Sequence, residues 1–238
     1  LTLFSGPLEI EVEGEVYLNP ISSSYGQVDR AFIVRVFRER SRILADRLAK
    51  FINDLQQGDI GRRAFVRQVM NSLRQAYYTV FSLGALSVDP FHVLTSEDIG
   101  VLNAELFGER KFLQSFGRDL SRGLLDLAPE PRARLYFSAL RGVFELGRVS
   151  ALPDRPYSWI LGDTDHCDPC IDAALGGPYK INDFSRLSLP VVPGIPGSGE
   201  VCKGLTRCGC TLRDQGFPVN ESLQLELRDI LEEIRLNL

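Results

Sequence analysis

The sequence predicts a mainly α fold: an irregular helical bundle with an N-terminal β-hairpin-like arm and a small cysteine-rich α+β module. Three observations predict it. Apolar residues recur at helical spacing over long stretches before position 152 and again after position 220. The opening segment alternates apolar and polar residues with a period of two. All five cysteines are confined to 167–210, in a stretch rich in Gly, Pro and Ser. The domain organisation that follows is an extended arm over 1–27, a helical domain over 28–152, a cysteine-rich module over 153–214 and a C-terminal helix over 215–238.

In the arm, Leu8-Glu9-Ile10-Glu11-Val12-Glu13 alternates as a half-buried strand does, Gly14 supplies a turn, and Glu15-Val16-Tyr17-Leu18 returns as a second strand. A lone hairpin is marginal in water. The arm is therefore expected either to lie on its own domain or to augment a neighbouring subunit's sheet. The chain opens on Leu1 rather than Met, which is read as the mark of a removed or trimmed N-terminal segment; no secretory signal is visible.

From position 28 the period changes. Ile33, Phe37, Leu44, Leu48, Phe51, Ile52 and Leu55 form the apolar stripe of a helix over 28–56. Asp59 or Gly61 opens a second helix with Val66, Val69, Met70, Leu73, Tyr77, Val80 and Phe81 inward, and Gly84 is expected to weaken its end. After the Asp89-Pro90 break, Thr95-Ser96-Glu97-Asp98 resembles a capping box and starts a third helix running to about Gly123, with interruptions expected at Gly100, Gly108 and Gly117. Pro129 and Pro131 stop the chain and restart it as a fourth helix over 131–150, with Leu135, Ala139, Val143, Leu146 and Val149 inward. A last helix spans 221–236, with Leu223, Leu227, Ile230, Leu231 and Ile234 on one face and Asn220 as its N-cap. Long apolar stripes joined by short connectors make a bundle or an irregular helical array.

Beyond Pro153 the chain reads as loop and short strand that burial alone would not hold in shape. Its cysteines form a C-x-x-C pair (Cys167, Cys170), then Cys202, then a C-x-C pair (Cys208, Cys210). Two close pairs separated by a loop supply four thiolates to one tetrahedral Zn²⁺. Four of the five cysteines are the expected ligands, with Cys167 and Cys170 the most secure and Cys202 able to replace a member of the second pair. A structural zinc contributes on the order of 10–16 kcal/mol to small peptide folds, enough to set such a loop. His166 stands beside Cys167 as a secondary or surface group. Asp163, Asp165 and Asp168 read as a solvated acidic turn. The competing redox reading rests on the C-x-P-C form of Cys167-Asp168-Pro169-Cys170, which in thioredoxin-like centres follows a strand and opens a helix within a βαβ pattern that this sequence does not offer. A disulfide framework suits a small secreted chain better than five clustered cysteines.

Composition narrows function further. Net charge is −4, so the chain has no global attraction to nucleic acid or anionic membrane, and no stretch is apolar enough to span a bilayer. Basic residues are nonetheless concentrated. Arg30, Arg35, Arg38, Arg40, Arg42, Arg47 and Lys50 belong to the first helix, and Arg62, Arg63, Arg67 and Arg74 to the second. Solvated helix faces are the ordinary explanation; phosphate contact by Arg35, Arg38, Arg42, Arg62 and Arg63 is the alternative. The only histidines are His92 and His166, and His92 has no carboxylate close beside it in sequence. With no nucleophile elbow, phosphate loop or dinucleotide fingerprint, the chain reads as a non-enzyme.

The run from Tyr136 to Arg148 leads into Tyr157-Ser158-Trp159-Ile160-Leu161, then Asp165-His166-Cys167-Asp168-Pro169-Cys170, Gly177-Pro178-Tyr179, Leu189-Pro190 with Pro193-Gly194, and Cys202 through Cys208-Gly209-Cys210-Thr211-Leu212. This ordered set, over 132–213, resembles the head morphogenesis (minor head) proteins of tailed bacteriophages, the Mu F-like group. The chain departs from their pattern where many members carry His-Pro before the closing pair; here it reads Val191-Val192-Pro193-Gly194, and Cys202 appears instead. The resemblance implies a structural virion component acting in head assembly or in genome packaging and delivery. It would lie at the portal vertex or capsid interior, in several copies of a symmetric assembly, with portal protein and capsid subunits as partners and packaged DNA as a further contact. A zinc-stabilised nucleic-acid-binding protein is the alternative, and a thiol oxidoreductase ranks third.

Overall fold

The computed structural model describes residues 8–12, 15–19, 30–123, 136, 139–161, 168–180, 211–214 and 221–236. It is mainly helical. In chain order the elements are β1 (Leu8–Val12), β2 (Glu15–Asn19), α1 (Arg30–Gln57), α2 (Arg62–Leu86), α3 (Ser96–Ser121), α4 (Leu140–Ala151), β3 (Tyr157–Ile160), α5 (Asp168–Gly176), β4 (Thr211–Asp214) and α6 (Glu221–Leu236). The expected arm is an antiparallel β1–β2 pair, registered from Leu8 opposite Asn19 to Val12 opposite Glu15. The expected turn at Gly14, the start of the fourth helix at 131–135 and the Asn220 cap lie outside the described residues.

The bundle is organised around α2, which packs against α1, α3 and, most extensively, α4. Helix α1 buries Ile33, Val36, Phe37, Leu44, Leu48, Ile52 and Leu55, the stripe that its spacing predicts. It ends where Gly58 adopts φ +81°, a left-handed conformation that costs glycine nothing. Aromatic edges bind the layers. Phe37 of α1 meets Phe144 of α4 edge-on with ring centroids 6.3 Å apart, and Phe65 of α2 meets Phe116 of α3 at 6.0 Å. Tyr136 stacks on the same Phe116 at 6.1 Å. Each fully buried side chain of this size contributes roughly 1.5–3 kcal/mol.

Three expectations change in three dimensions. Helix α2 continues through Gly84 to Leu86, because Gly84 is a buried packing position rather than a weak end. Helix α3 runs without interruption past Gly100, Gly108 and Gly117. Its capping box offsets the helix cost of those glycines, the Thr95 hydroxyl accepting from the Asp98 N–H while the Asp98 carboxylate accepts from the Thr95 N–H. Helix α4 is not amphipathic in its burial, since every residue from Leu140 to Val149 is buried.

Helix α6 lies along α1, with Leu223, Leu227, Ile230 and Leu231 buried. Two ion pairs join the helices: Arg30 to Glu226 at 2.6 Å and, more loosely, Arg38 to Glu233 at 3.9 Å. Both members of each advance in the same direction along their helices, so α1 and α6 run parallel.

Candidate metal centre and basic surface

The cysteine-rich module is built on β3. Tyr157 and Trp159 face inward and Ser158 and Ile160 are half-buried, the alternation of a strand covered on one face. On one side β3 pairs antiparallel with β4, with Ile160 opposite Thr211 and Tyr157 opposite Asp214. On the other side, the Tyr157 N–H donates to the Tyr179 carbonyl at 2.7 Å and the Tyr179 N–H donates back at 2.8 Å. The ring of Tyr179 folds over Gly176 and Gly177, leaving no room for a side chain at Gly176, where a Cβ would meet the phenol oxygen. Burial, and then the nearby Asp172 carboxylate, raise the Tyr179 phenol above its ordinary range.

Helix α5 packs against β3 with Cys170 and Ala173 buried. The last three residues of the C-x-x-C segment, Asp168 to Cys170, belong to α5, and Asp168 in the first turn complements the positive end of the helix. Cys210 directly precedes Thr211, and Thr211 pairs with Ile160 at the end of β3 from which the chain departs toward Cys167. Successive Cα atoms are about 3.8 Å apart. Connectivity alone therefore tethers the C-x-x-C and C-x-C pairs to the same α5–β3–β4 unit.

Tetrahedral zinc sites hold thiolates at Zn–S distances of about 2.3 Å. Of the expected ligands only Cys170 is among the described residues; Cys167, Cys202, Cys208 and Cys210, with His166, lie outside them. Among the described residues no three His, Cys, Asp or Glu side chains converge as a metal site. A strand followed by a helix, the order that the redox reading asks for, is present in β3 and α5. The sheet, however, is an antiparallel pair rather than a βαβ unit.

The arginines expected at phosphates divide into two groups. On α1, Arg42 is engaged by Glu39 at 2.7 Å and Asp46 at 3.1 Å. Arg38 faces Glu233 of α6, and the Arg35 guanidinium lies 6.0 Å from the centroid of the Phe32 ring. On α2, Arg62 and Arg63 are exposed in the first turn, and this helix contains no acidic residue at all.

Three clusters escaped the sequence reading. His92, which has no carboxylate close beside it in sequence, approaches Asp98 at 3.0 Å, and the same Asp98 oxygen accepts from both the Thr95 N–H and the Thr95 hydroxyl at 2.8 Å. The capping box was the available signal, since it placed Asp98 back over the loop that holds His92. On α4, Arg141, Glu145 and Arg148 recur at i, i+4 and i+7 and are all buried, with Arg148 gripping both Glu145 oxygens at 2.8 and 3.2 Å. At the α2–α3 seam, the buried Tyr77 hydroxyl donates to Glu109 at 3.0 Å. Burial pushes Glu109 up to about 7, against the lowering effect of that hydrogen bond, and burial together with the Glu109 charge pushes Glu105 up to about 7.

Among the described residues no helix is long and apolar enough to cross a membrane. Comparison of the chain with protein-family profiles, with curated proteins and with solved structures gave no match.

Proposed function

We propose that the chain is a structural minor head protein of a tailed phage or phage-like particle, in which a zinc-stapled module forms a rigid joint on a helical body at the portal vertex or capsid interior. The observation that carries the joint is the register of Thr211 on Ile160 together with the packing of α5, bearing buried Cys170, on β3. This ties both cysteine pairs to one small unit. The particle assignment is supported by the ordered motif set over 132–213 and by the absence of any catalytic fingerprint in the sequence. In this reading the protein turns nothing over. It is a virion component that grips portal and capsid subunits, and the β1–β2 arm is suited to augmenting a neighbour's sheet.

The joint is tested by metal analysis of the full chain purified under reducing conditions. One zinc per chain, with loss of helical signal on chelation, is expected; a metal-free protein of unchanged stability overturns the joint. The particle assignment is tested by mass spectrometry of purified phage or prophage particles together with capture of portal protein. Absence from particles refutes it even if zinc is present.

A second reading, a zinc-stabilised nucleic-acid-binding protein, is favoured by the acid-free α2 with its exposed arginines.

A further inference from the structure

We infer that the nucleic-acid-binding surface of this protein is the corner where α2 begins and α3 ends, and that α1, despite its seven basic residues, is not part of it. The inference deepens the second reading above and is independent of the zinc joint.

The two ends are held together by packing. A Cβ on Gly117 of α3 would press on Phe65 at 3.0 Å and on the Arg62 stem at 3.4 Å, so the last turns of α3 lie against the first turn of α2. At this contact Arg62 and Arg63 of α2 and, five residues past Gly117, Arg122 of α3 are exposed, as are Arg67 and Arg74 further along α2 and Arg110 further back on α3; none of the six has an ion-pair or hydrogen-bond partner among the described residues. Arg63, Arg67 and Arg74 recur at i, i+4 and i+11 along the outer face of α2. Arg118, the exception on this corner, is shared with Asp119 at 3.5 Å and the Ser115 hydroxyl at 3.1 Å.

Helix α1 is the opposite case. Arg30, Arg38, Arg42 and Lys50 are each matched by a carboxylate, from their own helix or from α6, and Arg40 and Arg47 reach Gln75. A phosphate contacting α1 would have to displace these partners. One contacting the α2–α3 corner meets guanidinium groups that have no carboxylate partner among the described residues. On a chain of net charge −4, guanidinium groups with no carboxylate partner among the described residues run against the overall sign, and planar guanidinium forks suit phosphate oxygens. The occupant that fits is a regularly spaced polyanion, the phosphate backbone of nucleic acid, read without base specificity.

The experiment measures binding of the full chain to a fluorescent 30-base-pair random duplex, and to the matching single strand, at several salt concentrations. It compares wild type with Arg63→Gln/Arg67→Gln/Arg110→Gln/Arg122→Gln, with the same four positions changed to Lys, and with the α1 variant Arg35→Gln/Arg42→Gln. The Gln variant should lose about tenfold or more in duplex affinity at low salt, and its salt slope should fall by up to about 0.9 per contact removed. The Lys variant should retain binding, and the α1 variant should change less than twofold. All changes are at exposed positions, and circular dichroism confirms folding. Binding that survives the Gln change but falls with the α1 change overturns this surface while leaving the nucleic-acid reading intact. Absence of salt-dependent binding by wild type overturns both. Loss of binding to phosphatidylserine vesicles with DNA affinity unchanged would assign the corner to a membrane and sink the inference.

Discussion

Gly84 of α2 and Gly147 of α4 press into each other's backbone where the two helices cross. A Cβ on Gly84 would run into the Phe144 carbonyl, and one on Gly147 into the Phe81 carbonyl. The crossing is reciprocal, and it brings Cα hydrogens toward carbonyl oxygens in the manner of weak Cα–H···O contacts. Because the obstructing atoms are main chain, no rotamer change relieves a substitution. Gly84→Ala or Gly147→Ala should cost about 3 kcal/mol or more, above the usual 1–3 for overpacking. Gly100→Ala and Gly108→Ala, where a Cβ meets open space, should instead stabilise α3 by about 0.5–1 kcal/mol. Urea denaturation of the four single variants checks both signs.

The buried pair on α4 gives a second prediction. Glu145 and Arg148 have side-chain exposures of 1% and 8%, so removing either takes a charge-assisted contact from a charge held away from water. Glu145→Ala or Arg148→Ala should destabilise the protein by about 3–5 kcal/mol. The double variant to Leu and Met should recover much of that loss, which a double-mutant cycle would measure.

Stability should fall as pH rises between about 4.5 and about 7, through Glu105 and Glu109. Their carboxyls keep protons in the folded state that the unfolded chain has already released. Unfolding therefore releases protons in this window, and the stabilising effect, full below the unfolded value, is lost as pH passes the folded one. Allowing for partial solvent screening, each group contributes about 2 kcal/mol of this change. Glu105→Gln should remove roughly half of the slope and relieve the like charge on Glu109. Thermal melts at pH 5, 6, 7 and 8 provide the comparison. A flat profile in wild type would count against the buried placement of the pair.

Asp98→Asn should loosen the entry to α3. One Asp98 oxygen accepts from His92 and twice from Thr95, and an amide cannot accept all three as strongly. A loss of about 1–2 kcal/mol is expected, with faster amide exchange at the start of α3. Thr95→Ala should lose about 1 kcal/mol for the same cap.

At the cysteines, Cys170→Ser should be more damaging than replacement of any exposed residue of α5. It removes a buried apolar thiol and, in the proposed joint, a zinc ligand. Metal content separates the two effects: a lost zinc supports the joint, and full zinc retention with reduced stability leaves Cys170 as packing alone.

The long helices were legible because their burial is one-sided. The stripe from Ile33 to Leu55 predicted a helix over 28–56 and the observed one is Arg30–Gln57; the helix predicted over 221–236 is Glu221–Leu236. The strand pair of the arm was legible from its period-two alternation. Of the candidate site, sequence spacing supplied the thiol pairs, but not the pairing of Thr211 with Ile160 that tethers them to one unit.

What the amino-acid order determined by itself was therefore local: periods of 3.6 and 2, the Thr95–Asp98 cap and the clustering of thiols. Tertiary structure decided what each exceptional residue is for. Gly84 looks like a weak helix end until the backbone around Gly147 fills the missing Cβ space. Arg141, Glu145 and Arg148 look like a solvated face until α4 is enclosed. The arginines of α1 and α2 look alike until α6 brings Glu226 and Glu233 to one helix, while those of the other meet no carboxylate among the described residues. The physical reason is common to all three. Periodicity reports which face of a helix avoids water, whereas close approach and charge compensation depend on atoms contributed by segments distant in the chain.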